Sequence, residues 1–132
     1  MNEDLQKKST QSLFEQIKKI DTNGQEYWSA RDLAKVLEYT DYRNFSLVIK
    51  KAKEACKNSA QEPHDHFVEF NDMIEVGKGG KRKVGDVKLS RYACYLIVQN
   101  ADPGKEVVAL GQTYFAIQTR MVEINYVRQP YR

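Results

Sequence analysis

Leu13, Phe14, Ile17 and Ile20 recur at the spacing of one helix face and stop at the turn-forming run Asp21-Thr22-Asn23-Gly24. The same stretch also fits a strand, Ile17 to Asp21, that turns at Asn23-Gly24 into a second strand from Gln25 to Trp28, because an Asn-Gly pair suits a tight hairpin. A helix followed by a short strand is the reading carried forward. Ser29 can cap a helix whose early Asp32 complements the positive end. That helix runs from about Ala30 to Glu38, with Leu33, Ala34 and Leu37 as its apolar stripe. Tyr39-Thr40 breaks it. Asp41 caps the next, about Asp41 to Asn58, which gathers Phe45, Val48, Ile49, Ala52 and Cys56 on one face and lysines on the other.

Asn58 to Asp65 reads as a loop, since Pro63 prevents a regular continuation. Phe67 to Val76 is rich in β-forming residues, and Lys83 to Leu89 alternates Val84 and Val87 with polar positions. Between them lies Gly77-Lys78-Gly79-Gly80-Lys81-Arg82, which predicts a β-hairpin with a flexible cationic tip. Ser90 caps a helix over about Arg91 to Asn100. After a loop at 100–104, a last helix runs from about Lys105 past Arg120, with Val107, Leu110, Tyr114, Ile117 and Met121 as its apolar stripe. The fold class is α+β, with helices packed on a small antiparallel sheet that includes the basic hairpin. A length of 132 residues fits one domain, drawn here over 13–124, with a flexible N-terminus at 1–12 and a tail at 125–132.

The formal net charge is only +3. Its distribution is more informative. Lys78, Lys81, Arg82, Lys83, Lys88 and Arg91 face a single Asp86, and Lys50, Lys51, Lys53 and Lys57 face only Glu54, so the remainder of the chain is net negative. Charge segregated in this way is the footprint of a phosphate-binding face. No apolar run reaches the roughly 18 residues of a membrane span, and the polar N-terminus lacks the apolar stretch of a signal peptide. Cytoplasmic location follows as the expectation, with Cys56 and Cys94 as reduced, buried thiols.

The glycine-rich tip is not a nucleotide-binding P-loop, because no Ser or Thr follows its lysine and it precedes a strand rather than a helix. It suits contact with a DNA backbone, which needs only cations and N–H groups. An ordinary solvated hairpin tip is the competing reading. The helix pair at 30–38 and 41–58 has the outline of a helix-turn-helix, with Arg43, Asn44, Lys50, Lys53 and Lys57 on its second helix, but its turn lacks a glycine, and a packed helical hairpin explains it equally. His64-Asp65-His66 lacks the paired spacing of a zinc site, so no metal or cofactor is expected. No catalytic motif is present, and an enzyme is not expected, although a Cys–His pair made in space stays open.

Residues 89–100 and 111–120 interleave polar groups with aromatics, Gln112, Gln118, Thr119 and Arg120 lying beside Tyr114 and Phe115. LSRYACYLIVQNADPGK (89–105) and GQTYFAIQTR (111–120) resemble the core of the DNA-damage-inducible protein D family of bacteria. EYWSARDLAKVLEYTDYRNF (26–45), KAKEACKNS (51–59) and Asp65-His66-Phe67 match it too, in the same order. The resemblance covers about residues 13 to 121. It implies a BRO-N-like domain, a type associated with DNA binding in viral and phage proteins, and expression in the SOS response. It supplies no catalytic residues. Members of that family continue past the Thr-Arg pair into a charged helical half, whereas this sequence ends at Arg132, as expected of a short member, a truncated gene product or an isolated domain.

Two functions follow as expectations. The first is a DNA-binding module, on single- or double-stranded DNA, in which Lys78, Lys81, Arg82 and Lys83 hold phosphates and Lys88, Arg91, Arg43, Lys50 and Lys53 extend the surface. The second is a protein-interaction module acting on a recombinase or other repair factor, with Tyr92, Tyr95, Tyr114 and Phe115 as its contact surface. A homodimer is a further expectation.

Overall fold

The structure, a computed structural model, describes residues 13–128, with side chains as far as 117. The segment 1–12, the end of the expected tail at 129–132, and the side chains of Gln118, Thr119, Arg120 and Met121 lie outside the described residues. Helices α1 (residues 13–17), α2 (Ala30–Val36), α3 (Tyr42–Asn58), α4 (Pro63–His66), α5 (Arg91–Asn100) and α6 (Glu106–Arg128) surround one antiparallel sheet. Its strands β1 (Lys19–Ile20), β2 (Glu26–Ser29), β3 (Phe67–Val76) and β4 (Gly80–Leu89) lie in the order β1-β2-β4-β3. The α+β class expected from the periodicity is the one observed.

Each reading of the first segment holds over part of it. Residues 13–17 are helical, and the chain then turns through a hairpin. Asp21 closes that turn by accepting the N–H groups of Asn23 and Gln25 at 2.8 and 2.9 Å, while Gly24 takes φ of +80°. The predicted caps of the next elements are all present. Ser29, Asp41 and Ser90 accept from the backbone N–H of Asp32, Arg43 and Ala93, satisfying donors that the first turn of a helix leaves unpaired.

The core forms where α1, α2, α3, α5 and α6 meet the sheet. Trp28, Leu89 and Phe67 lie side by side across β2, β4 and β3, and all three are buried. Phe14 stacks on Tyr114 and meets Phe115 edge-on, each with centroids 5.4 Å apart. The Trp28 indole N–H donates to the Phe14 carbonyl at 2.9 Å, so a fully buried donor is satisfied and α1 is fastened to the sheet.

Four expectations are corrected. Pro63–His66 is a short helix, not loop, because proline suits a first helical turn and the Glu62 side chain caps it by accepting from His64 N–H. β4 starts at Gly80, three residues before the expected Lys83, so Lys81 and Arg82 belong to a paired strand. The buried face of α6 is Val108, Gly111, Tyr114 and Phe115, while Ile117 of the expected stripe is exposed. Gly111 sets that rotation. A Cβ there would stand 3.0 Å from Phe14 Cζ and 3.2 Å from Val98 Cγ1, so its missing side chain lets α6 approach α5 and α1. α6 also continues to Arg128, into the stretch expected as tail.

Candidate functional site

β3 and β4 pair over their whole length, from Phe67↔Leu89 to Val76↔Gly80. β2 reaches β4 only at Trp28↔Leu89 and Ser29↔Lys88. Beyond that row the hairpin has no third strand and projects as a two-stranded arm. Its root is fastened from α2. The Arg31 guanidinium lies 4.3 Å over the Tyr42 ring, and its Nε donates to the Gly85 carbonyl at 2.6 Å where β2 has ended. The buried Asp86 carboxylate accepts from Ser29 Oγ at 2.5 Å, from Arg31 N at 3.1 Å and from Val87 N at 2.7 Å. The lone acid of the basic run is thus a structural anchor, a buried charge compensated by several donors.

At the far end, Gly77 and Gly79 take φ of +61° and +75°, values that side chains with a Cβ rarely adopt. A Cβ on Gly80 would come 2.7 Å from the Val76 carbonyl oxygen. This tight turn carries Lys78. Lys81, Arg82 and Lys83 follow on β4. All four are exposed, and none has an ion-pair partner among the described residues. Strand alternation sends Lys81 and Lys83 to one face of the arm and Arg82 to the other. Of the tip cations, Lys78 stands in the turn and the other three on a paired strand, with positive charge on both faces of the ribbon.

The other candidate cations are more engaged. Lys88 is half-buried, its Nζ 5.1 Å from the Tyr27 ring centroid and 5.3 Å from that of Phe70. Arg91 is committed to Glu26 by two hydrogen bonds and lies over the Trp28 ring at 5.2 Å. Arg43 pairs with Asp41 at 3.3 Å, and its backbone and side-chain N–H groups hold that carboxyl below its ordinary range. Lys53 reaches Glu69 at 3.7 Å, and Lys50 is exposed. Arg31, Lys50 and Lys53 share an open groove of about 580 Å³ between α3 and the root of the arm, with Tyr42 and Phe70 among its walls. Sequence reasoning missed Arg31 and this groove. Only the pairing of Arg31 with Tyr42 and Gly85 across the chain reveals it, and no local motif signals that.

The aromatic block divides. Tyr114 and Phe115 are core, while Tyr92 and Tyr95 are half-buried. Burial raises the thiol of Cys94 well above its ordinary value and raises that of Cys56. His66 lies with Nδ1 2.7 Å from Ser90 Oγ and its ring against Tyr92, and no group of three or more metal-ligating side chains exists among the described residues. No described helix is long and apolar enough to cross a membrane.

Comparison with known proteins follows the same boundaries. Residues 16–116 match the BRO family, N-terminal domain. The chain is 58% identical over 111 residues to DNA damage-inducible protein D of Escherichia coli (strain K12). That match covers 84% of this chain and 40% of the relative, so the chain spans less than half of the relative's length. No solved structure gives a significant match.

Proposed function

We propose that this chain, which belongs to the BRO family through its N-terminal domain, is a non-enzymatic DNA-contacting module of the DNA-damage response. The observation that carries the reading is the cationic arm. Lys78, Lys81, Arg82 and Lys83 stand together on a projecting ribbon, unpaired among the described residues. Keeping four like charges adjacent opposes folding through self-repulsion, and neutralisation by phosphates relieves it. Lys50 and Arg31 in the groove at the arm's root extend the cationic path towards α3. The name of the similar protein, DNA damage-inducible protein D, supports the setting.

A salt titration of binding to single- and double-stranded DNA tests the reading. Affinity should fall linearly on logarithmic axes, with a slope of about 0.9 per phosphate contact on duplex. Replacing the four tip cations by glutamine should lower both affinity and slope on both forms of DNA. Binding that ignores salt, or that survives the replacement unchanged, defeats the proposal.

The half-buried Tyr92 and Tyr95 favour a second reading, a surface for a recombinase or other repair protein. Retained DNA binding with loss of such a partner on Tyr92→Ala and Tyr95→Ala would identify it.

A further inference from the structure

The turn between α2 and α3 has no glycine, yet it takes the conformation for which glycine is the usual choice. Glu38 stands there at φ of +62°. Its N–H donates to the Lys35 carbonyl at 3.1 Å, and the Tyr39 N–H donates to the Ala34 carbonyl at 2.9 Å, which closes α2 with a left-handed cap. Only Glu38, Tyr39 and Thr40 lie between Leu37 at the end of α2 and Asp41, the cap of α3. A residue other than glycine keeps such a conformation where its surroundings enforce it. Lys105 donates to the Glu38 carbonyl at 3.0 Å and lies 3.8 Å over the Tyr39 ring, while the Tyr39 hydroxyl accepts from Asp102 N–H at 3.3 Å. The loop before α6 thus fixes the turn, and with it the setting of α3 on α2, in the outline of a helix-turn-helix.

α3 turns a cationic face outward. Phe45, Ile49, Ala52 and Cys56 are buried, and Arg43, Ser46, Leu47 and Lys50 lie exposed on the side away from them, at the i, i+3, i+4 and i+7 spacing of one helix surface. Against Arg43, Lys50, Lys51 and Lys57, all exposed, this helix sets one acid, Glu54. Arg43 keeps 92% of its side chain exposed, so its pair with Asp41 is weak and readily exchanged for another partner. Towards the arm the surface continues through Lys50 and Lys53 into the groove that Arg31 also lines. The contact of Lys53 with Glu69 places α3 on the face of the arm that packs into the core at Val87 and Leu89. Lys81 and Lys83 stand on that face, with Glu75 opposite Lys81.

Charge selects a nucleic acid for this surface, and shape selects a duplex. A helix about 10–12 Å across fits the major groove of B-DNA, about 12 Å wide. A single strand binds by stacking its bases on free aromatic faces. Beside the groove those faces are taken, since the Tyr42 ring lies between Arg31 and Phe45 and the Phe70 ring has Lys88 over it. We infer that α3 enters the major groove of double-stranded DNA and reads base edges with Arg43, Ser46, Leu47 and Lys50, while the arm follows the adjacent backbone. Arg43 presents a fork of donors to guanine, and Leu47, 60% exposed, suits a thymine methyl. The Ser46 hydroxyl donates to the Tyr42 carbonyl at 3.0 Å, which leaves its lone pairs for a base amino group. The inference rests on the DNA reading and adds to it the duplex form and a sequence preference.

Selection of binding sites by the whole chain from a pool of randomised duplexes tests the inference. One site should emerge, and at fixed salt it should bind at least about a hundredfold tighter than a scrambled duplex of the same composition. Arg43→Ala and Leu47→Ala should each lower that ratio by about tenfold, and selection with Leu47→Ala should relax the preference at one position of the site. Lys81→Gln with Lys83→Gln should weaken both duplexes alike and leave the ratio unchanged, because phosphate contacts carry no sequence information. Far-ultraviolet dichroism and melting temperature show that each variant folds. A chain that binds duplex with no site emerging, or that binds single strands only, overturns the inference and leaves the DNA reading standing. A ratio that survives both α3 variants overturns it as well. Absence of binding to every DNA overturns the functional reading and this inference together.

Discussion

Arg91 meets Glu26 at two points, Nε to Oε2 at 2.7 Å and Nη2 to Oε1 at 2.6 Å, tying the first turn of α5 to β2. The contact removes the last cation of the basic run from the open surface. Arg91 keeps only 15% of its side chain exposed and Glu26 32%, so loss of one partner strands the other in a poorly hydrated site. Glu26→Gln should cost about 2 kcal/mol, below the cost of breaking a fully buried pair because Glu26 still reaches water. Arg82→Gln, on the open arm, should change stability by less than about 0.5 kcal/mol. Urea denaturation of both variants checks the contrast.

The turn at the tip separates two glycines that look alike in sequence. Gly80→Ala forces a methyl against the Val76 carbonyl oxygen and should loosen the end of the arm. Gly85→Ala meets nothing within 4 Å. Amide exchange over residues 72–84 should accelerate at least about tenfold in the first variant, as expected when a local opening becomes cheaper by about 1.4 kcal/mol. It should stay unchanged in the second.

Gly111→Ala sets two effects against each other. Replacing a helical glycine by alanine gains about 1 kcal/mol of helix propensity. The added methyl, however, enters a space closed by Phe14 and Val98, and overpacking of this kind costs about 1–3 kcal/mol. Both obstructing atoms belong to buried side chains held by other core contacts, so destabilisation should win by about 1 kcal/mol. A lower melting temperature is the expected result.

Tyr114 and Glu15 predict a two-sided dependence on pH. The Tyr114 hydroxyl donates to the Glu15 carboxylate, and that bond chiefly holds Glu15 below its ordinary range, with the nearby Lys18 and Arg91 charges adding to it against some burial. A lowered carboxyl stabilises the fold above its unfolded value, and the gain is lost as pH falls through the folded one. Burial, and then the bond to Glu15, raise Tyr114 above its ordinary value. Its contribution is complete below that value and is lost as pH rises beyond it. Tyr114→Phe keeps the stack on Phe14, removes the largest cause of the Glu15 shift and removes the tyrosine titration altogether. Melting curves of this variant should therefore be flatter than the parent's below about pH 4 and above about pH 10.

Where one residue decides an element alone, that element was legible. Asp41 and Ser90 marked the starts of α3 and α5, and the glycines after Val76 marked the end of β3. Elements decided by distant partners were not. Gly80-Lys81-Arg82 is loop-like in composition, yet β3 extends far enough to pair it. The face of α6 was misjudged because Ile117 is more apolar than Gly111, whereas close packing against Phe14 needs the smaller residue. Among the candidate cations, the tip group could be named from sequence. That Arg91 is neutralised by Glu26, and that Asp86 and Arg31 fasten the root, depend on contacts over more than fifty positions of chain.

The brief contact of β2 with β4 has a mechanical consequence. An arm gripped at its root by two rows of β2 and by Arg31 is a cantilever, and the deflection of a cantilever grows steeply with distance from its grip. Lys78, at the turn, therefore stands where a given bending of the arm displaces a residue most, and Trp28, Leu89 and Phe67 stand at the fixed end. β4 also runs directly into Ser90, the cap of α5, so a load at the tip is delivered to the start of the helix at the centre of the fold.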